Sequence, residues 1–292
     1  MVQTRIKAFG YWIVVMAALL CSCSSDDDTT PQEDSNGRCL RQLILSDVSM
    51  NTRATIDPTT YAAAWATTDR PTHINLSMLP DGQYYGSLTP SAAGASTTLT
   101  GSVYCGLGDN IAVILPTLKP VMPSGGPLSF PITLSGQNGT LTNIGANYHY
   151  IYGVGTVTAT DGITATGTIT NTKSLLSLCK FTFTNGGSPV NVKSVQIGWG
   201  PTGSVGYPQR GTGTVSLAAP ENVSVETDAP DGPLTVMLSE ANAEGVVYVA
   251  LFPCDSKLTF HFTVSDGTNT YTATKTAKML EGKYYNVPVA VN

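Results

Sequence analysis

Hydrophobic and polar residues alternate with a period of two along most of this chain, and the 3.6-residue spacing of an amphipathic helix hardly appears. The first alternating run is Leu40 to Val48. Thr72 to Met78 follows and ends at Pro80-Asp81-Gly82, where proline presets φ and glycine accepts a positive value. Tyr84 to Leu88, Thr97 to Val103, Ile111 to Leu115 and Leu128 to Leu134 come next. In the second half, Gly153 to Thr160 and Ile163 to Thr170 flank Asp161-Gly162 and predict a hairpin closed on a two-residue turn. Leu178 to Thr184, Val190 to Ile197, Gly213 to Leu217, Leu234 to Leu238, Val246 to Phe252, Leu258 to Val264, Thr270 to Lys275 and Tyr284 to Val291 complete the series. A second hairpin is expected at Asp266-Gly267-Thr268-Asn269. Only Pro58 to Trp65 and Lys173 to Leu178 read as briefly helical.

More than a dozen short strands, at turn spacings of roughly 8 to 12 residues, predict an all-β chain of two tandem β-sandwich domains. The length of 292 residues suits that division. The boundary is placed between an N-terminal sandwich of residues 38–172 and a C-terminal one of 173–292, where Leu175-Leu176 opens a fresh apolar run. Composition agrees: charged residues make up 12% of the chain, against roughly 25% in an average soluble protein. A net charge of −5 supplies none of the clustered Lys and Arg that displace counterions from phosphates, so nucleic acid is excluded as a partner.

Ahead of the first strand, Arg5 and Lys7 precede an uncharged run from Tyr11 to Leu20, the pattern of a signal peptide over residues 1–22. Leu20 and Ser22 stand three and one residues before Cys23, the spacing of a bacterial lipoprotein signal, and Cys23 is the expected lipid-bearing residue. Cys21, with Ala18 and Leu20 in those places, fits less well. Residues 23–37 carry Asp26-Asp27-Asp28 and little that is apolar, which predicts an acidic, flexible tether.

No catalytic chemistry is legible. His73, His149 and His261 are far apart and match no metal spacing. Cys39, Cys105, Cys179 and Cys254 form no C-x-x-C pair; buried free thiols are expected, with a disulfide of unspecified connectivity as the alternative in an exported chain. The carboxylate pairs Asp228 with Asp231 and Glu240 with Glu244 lie in polar turns. Tyr148, Tyr150 and Tyr152 alternate along a strand and read as core in preference to a sugar-stacking platform. Neither an enzyme, a metal site nor a cofactor is expected.

Several phrases taken in order resemble the fimbrillin family of Bacteroidales, the type V pilus subunits, including its Mfa-like branch. They are Asn51-Thr52-Arg53-Ala54, Trp65 followed by Asp69, Leu134-Ser135-Gly136-Gln137-Asn138-Gly139-Thr140-Leu141, Tyr248 to Pro253, and Leu280 to Val289. The resemblance implies sandwiches of transthyretin-like topology, export as an outer-membrane lipoprotein to the cell surface, and removal of the first strand by proteolysis. It further implies assembly with other fimbrillin subunits by strand exchange. On these residues the cut falls between Arg53 and Ala54, and the released strand carries Leu40, Leu43 and Leu45. Tyr285, Val287, Val289 and Val291 share one face of the last strand, and Pro288, lacking an N–H, confines it to an edge. A tip or accessory subunit serving adhesion to a protein or glycan ligand is favoured over a stalk pilin. The alternative is a surface glycan-binding lipoprotein that does not polymerise.

Overall fold

The computed structural model describes residues 31–50, 55–56, 63–78, 85–119, 128–201, 212–219, 222–227 and 233–292. Among them strands dominate. β1 (Cys39–Ser49), β2 (Thr55–Ile56), β3 (Ala63–Ala64), β4 (Thr72–Asn75), β5 (Tyr85–Ser87), β6 (Thr89–Pro90), β7 (Ser96–Cys105) and β8 (Asn110–Leu115) come first. They are followed by β9 (Leu128–Thr133), β10 (Ile151–Thr160) and β11 (Thr164–Ser174). The second half holds β12 (Ser177–Asn185), β13 (Ser188–Pro189), β14 (Val192–Pro201), β15 (Thr212–Ala219) and β16 (Asn222–Thr227). The last five are β17 (Leu234–Asn242), β18 (Val246–Leu251), β19 (Cys254–Ser265), β20 (Thr270–Met279) and β21 (Tyr284–Ala290). The all-β expectation is met.

Eight strands make the largest sheet, in the order β5-β4-β8-β10-β11-β1-β7-β6. Strand β8 lies deep in it and is apolar from Ile111 to Leu115 because both of its faces are covered there. Ile111, Val113 and Leu115 join Leu43, Leu45, Leu99 and Ile169 in one core, while Ala112 and Ile114 join the larger core of the second half. The sheet curls until its ends meet. Asn75 Nδ2 donates to the Tyr104 carbonyl at 3.0 Å, and a Cβ at Gly101 on β7 would stand 2.8 Å from the Ser87 carbonyl oxygen. That near-contact is why position 101 carries no side chain.

In the second half, β12 pairs with β18 and β21, β13 closes on β12, and the opposing sheet runs β17-β14-β19-β20. Phe181 and Phe183 of β12 meet Phe262 of β19 at centroid distances of 5.0 and 5.7 Å, so the two sheets face each other across aromatic rings. A third sheet, β16-β15-β9, takes one strand from before residue 172. Its Pro131 sits on edge strand β9, the place a sheet tolerates a residue without an N–H.

Both predicted hairpins form. The Asp161 N–H donates to the Thr164 carbonyl, so the two central residues are Gly162 and Ile163, one step later than expected; Gly162 takes φ +90°. At the other, the Asp266 carboxylate accepts from the N–H groups of Thr268 and Asn269, which hold its pKa far below the usual carboxylate range. The expected helix at Lys173–Leu178 is instead the end of β11, a bend and the start of β12. Consecutive Leu175 and Leu176 are both buried there: the Leu175 N–H donates to the Tyr150 carbonyl, and the Leu176 carbonyl accepts from Gly282. Of Pro58–Trp65, residues 58–62 lie outside the described residues, while Ala63 and Ala64 are extended and Trp65 bridges to Gly94. A helix does occur where none was read: α1 (Leu141–Asn147), capped by Thr140, whose hydroxyl accepts from the Asn143 N–H at 3.2 Å.

His73, on β4 between β5 and β8, is 3% exposed, and neither ring nitrogen has a hydrogen-bond partner. Burial pushes its pKa down to about 4, partly offset by the approach of the Ser102 backbone, which falls short of hydrogen-bond geometry. An unfolded histidine takes a proton near pH 6.5, so below that value protonation favours the unfolded chain, and the loss saturates near pH 4. We expect acidification from pH 7 to 4 to cost about 3 kcal/mol through this one residue. His73→Leu should flatten that part of the denaturation-midpoint profile; an unchanged slope would assign it to other groups.

Candidate functional site: the first strand and its polar clamp

Strand β1 is interior to its sheet. It runs parallel to β11, with Leu45 opposite Gly167, and antiparallel to β7, with Leu43 opposite Gly101. Leu43, Leu45 and Val48 are fully buried. Leu45 and Val48 are three residues apart and would face opposite ways in a regular strand. A bulge between them, with Asp47 at φ +53°, inserts the extra residue that turns both inward. Small residues flank the strand where it is thickest: a Cβ on Gly167 would lie 2.4 Å from the Thr156 carbonyl oxygen and 3.1 Å from Leu45 Cδ2. Trp65 Nε1 donates to the Val48 carbonyl at 2.9 Å, and the Thr172 hydroxyl to that of Ser49 at 2.8 Å, fixing the strand's exit.

Leu40 is not part of the buried row. It is 60% exposed, and the inward position beside it belongs to Arg41, which is 2% exposed. The Arg41 guanidinium donates to the carbonyls of Gly37 and Cys105 and pairs with Glu33. One turn earlier, Arg38 grips Asp109 with Nε at 2.8 Å and Nη2 at 2.7 Å. The same carboxylate accepts from Asn75 Nδ2 at 2.7 Å and from the Gly106 N–H at 2.9 Å. Burial alone would raise the Asp109 pKa, but these donors outweigh it and hold the carboxyl below its usual value, while Asp109 raises that of Arg38. Asp34 accepts from the N–H groups of Arg38 and Asn36 and from the Tyr104 hydroxyl. Residues 33–41 are thus clamped onto the ends of β7 and β8 before β1 enters the core.

The last strand is placed by comparable geometry. Among the described residues β21 pairs only with β12, in parallel, from Leu178 opposite Tyr284 to Thr184 opposite Ala290, which puts Pro288 on an edge strand. Val287, Val289 and Val291 are buried and Tyr285 half-buried, its hydroxyl accepting from the Leu280 N–H at 2.8 Å. Asn292 exchanges two backbone hydrogen bonds with Thr272 of β20, tying the strand to the opposing sheet.

The stretches Leu134–Leu141 and Tyr248–Pro253 interlock. Gln137 is buried; its amide nitrogen donates to the carbonyls of Leu134 and Ala250, and its oxygen accepts from the Ala250 N–H at 2.7 Å. The side chain therefore continues the ladder of β18 as a backbone would. Tyr148, Tyr150 and Tyr152 are buried, with Tyr148 and Tyr150 donating to the carbonyls of Ser135 and Thr133, so no ring platform is presented there. Glu240 and Glu244 are exposed; Asp228 and Asp231 lie outside the described residues, as do Cys23, Arg53 and Ala54. Among the described residues no three His, Cys, Asp or Glu side chains gather as a metal site would require.

No family model and no curated relative matches the chain. Solved structures do. A candidate cell adhesion protein of Bacteroides ovatus superposes with a TM-score of 0.53 at 15% identity, covering 87% of this chain and 96% of that one. The two share a fold. A candidate cell adhesion protein of Bacteroides fragilis gives 0.43 at 12% identity over 86% and 92% of the two chains. The tip fimbrial protein Mfa3 of Porphyromonas gingivalis gives 0.37 at 8% over 80% and 81%.

Proposed function

We propose that this chain is a non-enzymatic, fimbrillin-like adhesion subunit of a bacterial surface fibre, a tip or accessory subunit in preference to a stalk. It is exported as a lipoprotein anchored at Cys23 and assembled by strand exchange, with sandwiches over 38–172 and 173–292. The observation that carries the reading is the position of β1: an interior strand with Leu43, Leu45 and Val48 in the core, ending four residues before Arg53. Cutting after Arg53 breaks the main-chain link between that strand and the rest of the chain. Its departure exposes the inner edges of β7 and β11 and an apolar trough between them, and an extended segment of another subunit can restore both ladders. The shared fold with a candidate cell adhesion protein supports the adhesion role.

The test is the N-terminus of the protein recovered from sheared surface fibres. We expect Ala54 there, and expect Arg53→Ala to leave the subunit unpolymerised with β1 retained. Fibres built from chains that keep residues 24–53 would overturn the reading.

A further inference from the structure

The register of β1 against β7 sets Cys39 directly opposite Cys105, the first residue of one strand against the last of the other. Both are buried, at 1% and 0% exposure, and their side chains leave the same face of the sheet. Directly opposed residues of an antiparallel pair have Cα atoms about 4.5 or 5.5 Å apart, within the range of about 4.4–6.8 Å that a disulfide spans. Cβ atoms of such a pair, about 4.5–5.5 Å apart, need to draw in by roughly 1 Å. The ladder ends at this pair, and Gly37 and Gly106 stand just outside it. Cys179 and Cys254 also come near each other, both against Met279, at 3.6 Å from its sulfur and 3.3 Å from its N–H respectively, but β12 and β19 do not pair, so no ladder sets these two directly opposite.

The geometry points to a disulfide between Cys39 and Cys105 in the exported protein, a covalent staple that keeps β1 attached to β7 after the chain is cut beyond it. Two S–H bonds break and one S–S bond forms. The two electrons and two protons pass to a disulfide-bearing oxidant, a thiol–disulfide oxidoreductase of the exporting compartment or glutathione disulfide in vitro, whose own S–S bond becomes two thiols. Burial pushes the pKa of the Cys105 thiol up to about 11, so that thiol is a slow nucleophile once buried, and the bond forms as the two strands dock. The staple closes where Arg38 and Arg41 already hold the chain, and β1 then leaves only after a dithiol reductant gives up two electrons and two protons, its own thiols becoming a disulfide as the Cys39–Cys105 bond returns to two thiols. This second step rests on the strand-exchange reading; the disulfide itself does not.

The full chain, exported by cells and purified without reductant, is alkylated with iodoacetamide in urea, reduced, and relabelled with N-ethylmaleimide before peptide mapping. We expect the second label on Cys39 and Cys105 and the first on Cys179 and Cys254, with Cys105→Ala moving Cys39 to the first label. Iodoacetamide on Cys39 and Cys105 of the unaltered chain would overturn the staple. In a second arm a site-specific protease sequence is inserted after Arg53 and the cut chain is denatured. The fragment bearing β1 should migrate with the body until reductant is added. Release without reductant from a chain whose labels show the disulfide would overturn retention and leave the bond standing.

Discussion

Removing residues 284–292 should abolish cooperative folding of the monomer, seen as loss of the thermal transition and of near-ultraviolet ellipticity. The deletion takes Val287, Val289 and Val291 out of the core and uncovers one edge of β12, the strand that carries Phe181 and Phe183. Three buried valines represent about 1.5–3 kcal/mol each, which together with the lost ladder matches the whole stability of an ordinary domain, about 5–15 kcal/mol. Such an outcome favours a tip or cap, because a strand essential to its own sandwich is not free for donation. A truncated monomer that still folds and no longer polymerises would make β21 a donor and the subunit a stalk pilin.

Asp109→Ala should destabilise the protein by about 3–5 kcal/mol, the cost of stranding a paired, largely buried charge. The substitution leaves Arg38, Asn75 Nδ2 and the Gly106 N–H without their common acceptor. Asp109→Asn, which keeps the shape and loses the charge, should cost less. Because the folded carboxyl titrates below its usual value, its contribution is complete above about pH 4 and is lost as pH falls through the depressed value. The acid limb of wild-type stability below pH 4 should therefore weaken in both variants. Urea midpoints of the three proteins at pH 7 and pH 3 measure it; equal acid sensitivity would remove Asp109 from the account.

How much of this was legible in the sequence depends on what each residue answers to. Alternation located nearly every long strand, since burial on one face of a pleat imposes it directly. It missed β16, where Asn222-Val223-Ser224-Val225-Glu226-Thr227 holds only two apolar residues, and α1, where Gly145 and two asparagines in seven residues leave no helical period to see. The order of the sheets was not legible at all, because pairing β1 with β11 or β9 with β15 is decided by contacts between residues far apart in the chain, such as Leu45 with Gly167 and Leu128 with Leu217. At the candidate site the apolar row was half readable: Leu43 and Leu45 face inward as a hydrophobic residue should, but Leu40 and Arg41 exchange the expected sides. An arginine can be buried here only because Glu33 and the carbonyls of Gly37 and Cys105 converge on it, and those partners are brought by the fold. Four cysteines without a motif gave no connectivity; the register of β1 and β7 singles out one pair.

The parallel pairing of β21 with β12 also sets a clock. Phe181 lies opposite Val287, so 287 − 181 = 106 residues separate partners in one ladder. At a synthesis rate of about 5–20 residues per second, roughly 5–20 s pass between the appearance of the two strands. Until then β12 has only β18 and the short return of β13 beside it, and the aromatic core between the facing sheets stays open on one side. A nascent chain in that condition keeps one edge of β12 unpaired, and this ladder closes only after Ala290 has been made.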